Sequence, residues 1–177
     1  MSGAKTDVKP VKLICGVLYR KTVDLSRLDE KLISRLGPVD LKSKPFPFDF
    51  TDYYEYEMGE NLVKQFFAFE KLILPDSLAD LKNATILIEK DFSSEGRRTV
   101  NIDPGYLEES KLVLASTKNF SHRVFLKDGI WAEVTLRYEK GNFVPHPWTY
   151  PDYAQPLAIE FLKTARENYR SQLYDLS

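Results

Sequence analysis

The feature that most constrains this chain is a strand-like run followed at once by a helical stripe, a pairing that occurs twice before residue 93. Residues 12–19, from Lys12 through Cys15 and Gly16 to Tyr19, are rich in apolar and β-favouring types, which suits a buried strand. Leu25, Leu28, Leu32 and Leu36 then recur at helical spacing, with Asp24 or Ser26 placed to cap the helix and Gly37-Pro38 to stop it. In the second pairing, residues 62–74, with Phe67 and Phe69 among mixed charges, read as a strand. Pro75-Asp76-Ser77 is a stop followed by a cap, after which Leu78, Leu81, Thr85, Ile88 and Phe92 mark one helical face.

Between the pairs, residues 39–49 carry Pro45 and Pro47, which remove ladder donors and suit an edge or irregular strand. Residues 99–103 read as a short strand closed by the turn pair Pro104-Gly105, and residues 111–116 as a strand or a short helix. The order βαββαβ predicts an α+β fold with a ferredoxin-like core, an antiparallel sheet carrying its helices on one face. Two extensions follow. Residues 121–126 and 131–138 flank Asp128-Gly129, a strong hairpin signal because both turn positions favour positive φ. Leu157, Phe161, Ala165, Tyr169 and Leu173 then lie four apart on one stripe of a terminal helix over 155–173. One domain over 1–177 is expected, with residues 1–10 as a frayed lead-in.

Composition narrows the function classes. A 43% hydrophobic and 13% aromatic content argues against disorder, and 25 basic against 26 acidic residues leave a net charge of -1. Such a chain has no global field for phosphate backbones or anionic lipid, so membrane partners are not expected and nucleic acid is disfavoured. Cys15 is the only cysteine, which excludes an intrachain disulfide, and two histidines signal no metal set. No apolar run approaches the ~20 residues that span a bilayer, and residues 1–7 lack the apolar centre of a secretion signal, so a cytoplasmic location is expected. P-loop, dinucleotide and common hydrolase motifs are absent, and the sequence specifies no cofactor.

Three polar regions carry the candidate chemistry. If Asp128-Gly129 is a two-residue turn, the register sets His122 opposite Thr135 with Glu133 diagonal, all on one face, while Phe125, Ala132, Val134 and Leu136 face the core, a face on which Arg123 also falls. A carboxylate beside an imidazole fixes its tautomer and raises its pKa, as acid–base catalysis requires, although a structural histidine gives the same pattern. A second region gathers Arg97, Arg98, Lys118, His122 and Arg123, suited to a phosphate or carboxylate, against a bland reading as solvated surface. Opposite in character is the acid- and tyrosine-rich stretch 49–59, either an exposed loop anchored by aromatics, a lid or a surface for a basic partner. The third is the proline-rich strap 145–153, whose Trp148, Tyr150 and Tyr153 either cover a core or form an aromatic wall for a planar ligand.

Several of these segments carry a resemblance. Phe48-Asp49-Phe50-Thr51, Tyr53-Tyr54, Glu57-Met58-Gly59, the run 101–106 from Asn101 to Tyr106, the run 118–123 from Lys118 to Arg123, and the run 148–153 from Trp148 to Tyr153 together resemble an uncharacterised prokaryotic domain-of-unknown-function family. Its members are sometimes labelled "GTP-binding protein". The resemblance implies that these polar positions share one pocket, whereas the chain has neither the glycine loop nor the Asn-Lys-x-Asp reader of P-loop GTP binding. The leading expectation is a small-molecule enzyme or binding domain for an anionic or nucleotide-like ligand. Arg98, Lys118 and Arg123 would grip the anion, and His122 with Glu133 or Asp103 would act as acid and base. Tyr106, Asp152 and the strap residues Trp148, Tyr150 and Tyr153 would complete the site. The alternative is a protein-interaction or homo-oligomerisation module without catalysis, and RNA binding ranks below both.

Overall fold

A computed structural model describes residues 7–176, so the expected lead-in lies outside the described residues as far as residue 6. The chain runs β1 (Val11–Arg20), α1 (Leu25–Leu36), β2 (Val39–Lys42), β3 (Phe46–Pro47), α2 (Glu55–Met58) and β4 (Leu62–Ile73). It continues with α3 (Leu78–Asp91), β5 (Ser93–Ser94), β6 (Arg97–Arg98), β7 (Val100–Leu107) and β8 (Lys111–Ser116). The hairpin strands β9 (Val124–Lys127) and β10 (Ile130–Glu139), then β11 (Asn142–Pro145), α4 (Pro151–Ala154) and α5 (Pro156–Leu176), complete it. This is an α+β architecture built on an antiparallel sheet of order β11-β10-β8-β7-β1-β4-β2, with β3 on β4 and β9 on β10.

Strand alternation divides β1 between two cores. Leu13, Cys15, Val17 and Tyr19 meet Leu28, Leu32 and Leu36 of α1 and Ile88 of α3 on one face. Ile14 on the other face meets Phe66 and Ala68 of β4 and Ala158, Phe161, Leu162 and Ala165 of α5. The expected terminal helix is thus present and covers the face that α1 and α3 leave bare. Asp24 caps α1 by accepting from the amides of Ser26 and Arg27, and Gly37 at φ 97° ends it, as its sequence signals require.

Four local expectations are corrected. Ser77 does not cap α3; it closes a 3-10 turn over Pro75–Ser77 and its hydroxyl donates to the Leu74 carbonyl. The buried side of α3 includes Lys82 and Glu89 beside Leu78, Ala79, Thr85 and Ile88, so it is not the apolar stripe expected. Pro104-Gly105 is not a turn, because β7 runs through it to Leu107. A Cβ on Gly105 would lie 2.4 Å from the Val113 carbonyl oxygen, so glycine here permits the close approach of β8.

The fourth correction is the hairpin register. Lys127 pairs with Ile130 as expected, but a bulge then sets Phe125 opposite Trp131 and Val124 opposite Ala132. Residues 121–122 form a turn instead of continuing β9. The face expected to meet the core divides: Phe125 and Val134 are exposed while Glu133 and Thr135 are buried. Leu136 reaches the core because β10 shifts register against β8 between Val134 and Leu136.

Candidate functional site

β7 and β8 pair only at Gly105 with Leu114, Tyr106 with Val113 and Leu107 with Leu112. Beyond Gly105 the strands part, and a cavity of about 780 Å³ lies in the fork between them. A forked strand leaves backbone groups without a ladder, and α3 supplies the missing partners. Glu89 Oε1 accepts from the Ile102 amide at 2.7 Å, and Lys82 Nζ donates to the Ile102 carbonyl at 2.7 Å. Pro104 shares the orientation of Ile102 by alternation, so its missing N–H removes nothing from the β1 ladder.

The floor is the sheet face that α5 covers further along. Gly16 of β1 lies between Asp103 of β7 and Phe66 of β4, and its lack of a side chain opens the space. The Tyr153 hydroxyl occupies it, 2.2 Å from where a Gly16 Cβ would stand. Lys64 enters from β4 on the same face as Phe66 and meets Asp152 of α4, Nζ to Oδ2 3.1 Å, with both side chains buried. Lys82 Nζ donates to Asp103 Oδ1 at 3.1 Å, and Asn101 donates to Asp103 Oδ2 at 2.9 Å. Burial works against ionisation of Asp103, but Lys82 and Lys64 outweigh it and hold the carboxyl below its ordinary range.

The walls are networks of arginine. Arg98 forks onto both carboxylate oxygens of Glu57 at 2.7 Å each, and its Nη1 also reaches Glu89 and Asn101. The Arg98 hydrogen bond holds Glu57 low, whereas burial raises Glu89 despite Lys82. Arg123 donates to Glu133 Oε2 at 2.8 Å, to the Lys118 carbonyl at 2.9 Å and to the Tyr150 hydroxyl at 2.7 Å. At the rim Lys118 Nζ stands 4.2 Å above the Tyr53 ring. The stretch 49–59 closes this side as a 3-10 turn over Asp52–Tyr54 followed by α2, anchored by the buried Met58 against Leu18 and Leu62.

Two hydroxyls are held in their neutral form. Burial raises Tyr54, with the Asp103, Tyr150 and Asp152 charges adding to it. Burial likewise lifts Tyr153 well above the usual phenol range, and its hydroxyl has no hydrogen-bond partner among the described residues. The floor therefore presents one buried O–H donor without an acceptor.

Eight of the eleven expected site residues line this cavity: Arg98, Asp103, Lys118 and Arg123, then Glu133, Tyr150, Asp152 and Tyr153. Three do not. Tyr106 lies an odd number of residues from Asp103 and so points to the α3 face, against the cluster of Leu78 and Val113. His122 does meet Glu133, Nε2 to Oε2 2.9 Å, but behind the cavity wall, where its ring stacks on Trp148 at 5.0 Å. Trp148 also stacks on His146 at 4.7 Å, and its indole N–H donates to the Val134 carbonyl in the gap between β9 and β11. Both histidines and this bond make Trp148 a fastening of the strap rather than a wall of the cavity. Tyr54, from a segment of the resemblance, also lines the cavity, whereas Lys64, Lys82 and Glu89 were not among the expected residues. Two sequence signals mark them: a lysine on the inward phase of a central strand, and the polar series 82, 85, 89 on one helical face.

Among the described residues no cluster of His, Cys, Asp and Glu has metal-site geometry, and no helix is long and apolar enough to cross a membrane. The chain belongs to a family described as a domain of unknown function (DUF4416), whose model matches residues 9–169. No curated protein and no solved structure matches it.

Proposed function

We propose that this DUF4416 chain binds a small anionic, nucleotide-like organic molecule in the fork between β7 and β8. The observation that carries the reading is convergence: charged side chains from β4, α3, β6, β7, β10 and α4 meet in one cavity. Replacing buried ion pairs by apolar side chains of similar volume is often neutral or stabilising, so fold stability alone does not require Lys64–Asp152 and Lys82–Asp103. A volume of about 780 Å³ falls in the range of small-molecule sites, and Phe48, Phe50 and Tyr54 offer apolar wall beside the polar groups. If the site is catalytic, the acid–base candidates are Asp103 with Lys82 and Tyr153 with Lys64, since His122 is turned away. The GTP-binding label is not taken over, because the chain lacks a phosphate-cradling glycine loop.

The same reading takes the molecule as one domain with a ferredoxin-like core. The order β7-β1-β4-β2 and the packing of α1 and α3 on one face support it. A cytoplasmic location is kept as part of the proposal. A second reading, self-association through the hairpin, has one observation in its favour: Val124, Phe125 and Leu126 of the edge strand β9 are all exposed. Sedimentation as a strict monomer at micromolar concentration would remove that reading.

A thermal-shift panel of nucleotides, organic phosphates and carboxylates tests the first. A ligand at 100 times its dissociation constant adds about 2.7 kcal/mol, or roughly 5–10 °C for a chain of this size. Lys64→Met should abolish that shift. No shift from any compound in the panel, or a shift unchanged in Lys64→Met, counts against the reading.

A further inference from the structure

The interior cations of the cavity are all matched. Lys64 faces Asp152, Lys82 faces Asp103, Arg98 holds Glu57 and Glu89, and Arg123 holds Glu133. The rim differs. Lys90 and Lys118 line the opening, both exposed, and among the described residues neither has a carboxylate within ion-pair distance. Positive charge without a carboxylate partner is therefore confined to the mouth, where Lys118 has only the Tyr53 ring beneath it, while the floor is balanced and carries the unpartnered Tyr153 hydroxyl.

We infer that the ligand is bipartite and enters in one orientation. Its planar, uncharged, hydrogen-bonding head lies on the floor against Tyr153 and Lys64, and its phosphate stays at the rim beside Lys118 and Lys90, the chemistry of a nucleoside monophosphate. This rests on the ligand-binding reading above and adds the class and direction of the ligand. A phosphate on the floor would face the carboxylates of Asp103 and Asp152, whose like charge opposes it. A cationic head would face Lys64 and Lys82 for the same reason. An uncharged head edged with both donors and acceptors meets neither obstacle: it accepts from the Tyr153 O–H and donates to the carboxylates. The aromatic side chains between floor and rim, Phe48, Phe50, Tyr54 and Tyr150, suit a planar body. At the rim a phosphate replaces no existing ion pair.

The test compares nucleoside 5′-monophosphates, the corresponding nucleosides and inorganic phosphate by calorimetric titration against the wild-type chain, Tyr153→Phe and Lys118→Ala. Monophosphates should bind at least tenfold more tightly than either fragment. Tyr153→Phe should weaken nucleoside and monophosphate at least tenfold while leaving inorganic phosphate unchanged; Lys118→Ala should do the reverse. Because Tyr153→Phe removes only an unpartnered hydroxyl, its thermal midpoint without ligand should equal or exceed that of the wild type, so lost binding is separable from lost fold. The opposite assignment of fragments to variants overturns the orientation and leaves ligand binding standing. Failure of monophosphate, nucleoside and phosphate alike overturns the inference, and the wider thermal-shift panel then judges the broader reading by itself.

Discussion

Gly16 shows how one residue shapes the cavity. It sits on a central strand with no positive φ to explain it, and the reason is space: an added Cβ would stand 2.2 Å from the Tyr153 hydroxyl and 3.0 Å from Lys64 Cε. Gly16→Ala should cost about 1–3 kcal/mol through overpacking, read from urea denaturation. Combined with Tyr153→Phe, part of that cost should return as a coupling of about 1 kcal/mol, and strict additivity would place the hydroxyl elsewhere. Lys82 supports a pH-dependent comparison. Asp103 is held below its unfolded value, so the stability it contributes is present above about pH 4 and is lost as pH falls through its folded value. Lys82→Met should cost about 3 kcal/mol at neutral pH, and the gap from wild type should narrow in denaturation series as pH falls and Asp103 takes up a proton. A gap independent of pH would assign the role of Lys82 to its bond with the Ile102 carbonyl alone. At this scale sequence reasoning singled out Asp103 and Asp152, which line the cavity, and passed over Lys64 and Lys82, whose signals can be read only once the place of each element in the fold is known. A lysine amid mixed charges looks like solvent-facing surface until its neighbours across the sheet are known.

Among the elements, α3 carries the least ordinary task, since its buried face supports backbone as well as core. Glu89 serves two partners, accepting from the Ile102 amide and from Arg98, whose fork also ties in α2 through Glu57. Glu89→Leu leaves that amide unpaired and should cost about 1–3 kcal/mol, whereas Glu89→Gln keeps an acceptor and should cost appreciably less; chemical denaturation of the two variants separates them. Equal losses would mean that charge, not the backbone bond, is what matters. The elements themselves were largely readable. The strand over 62–73, the Asp24 cap and the terminal stripe of α5 follow from local chemistry alone. Pro104-Gly105 misled because a turn and a strand fork use the same two residues for different reasons: loss of a donor and loss of a Cβ. The hairpin turn at Asp128 and Gly129, both at positive φ, was readable, but the bulge beside it was not. Which residue bulges depends on what β10 must bury against β8, which is information from outside the hairpin.

For the whole molecule, the decisive arrangement is that two sets of helices cover opposite faces of one sheet, leaving the cavity on the α5 side where β7 and β8 part. That side is closed by contacts of very long sequence separation. Lys12, fully buried, donates to Gln172 Oε1 at 2.9 Å as well as to Asp40 and the Phe69 carbonyl. Gln172 donates in turn to the Glu70 carbonyl, and the Tyr169 hydroxyl donates to the Pro10 carbonyl. Removing residues 156–177 would bare Ile14, Phe66, Leu107 and Leu112 and deprive the Lys12 ammonium of one of its three acceptors. The expected outcome is loss of a cooperative unfolding transition, with binding of hydrophobic dye, since both apolar burial and a buried charge's partner go at once. Removing only residues 175–177, a segment in which Asp175 and Leu176 are exposed, should change stability by about 0.5 kcal/mol or less. Far-UV circular dichroism and urea titration of the two truncations decide the matter. If the longer deletion still unfolds cooperatively, α5 is a cover added to a self-sufficient sheet, and the floor of the cavity, which shares that face, would have to be stabilised by α3 and β4 alone.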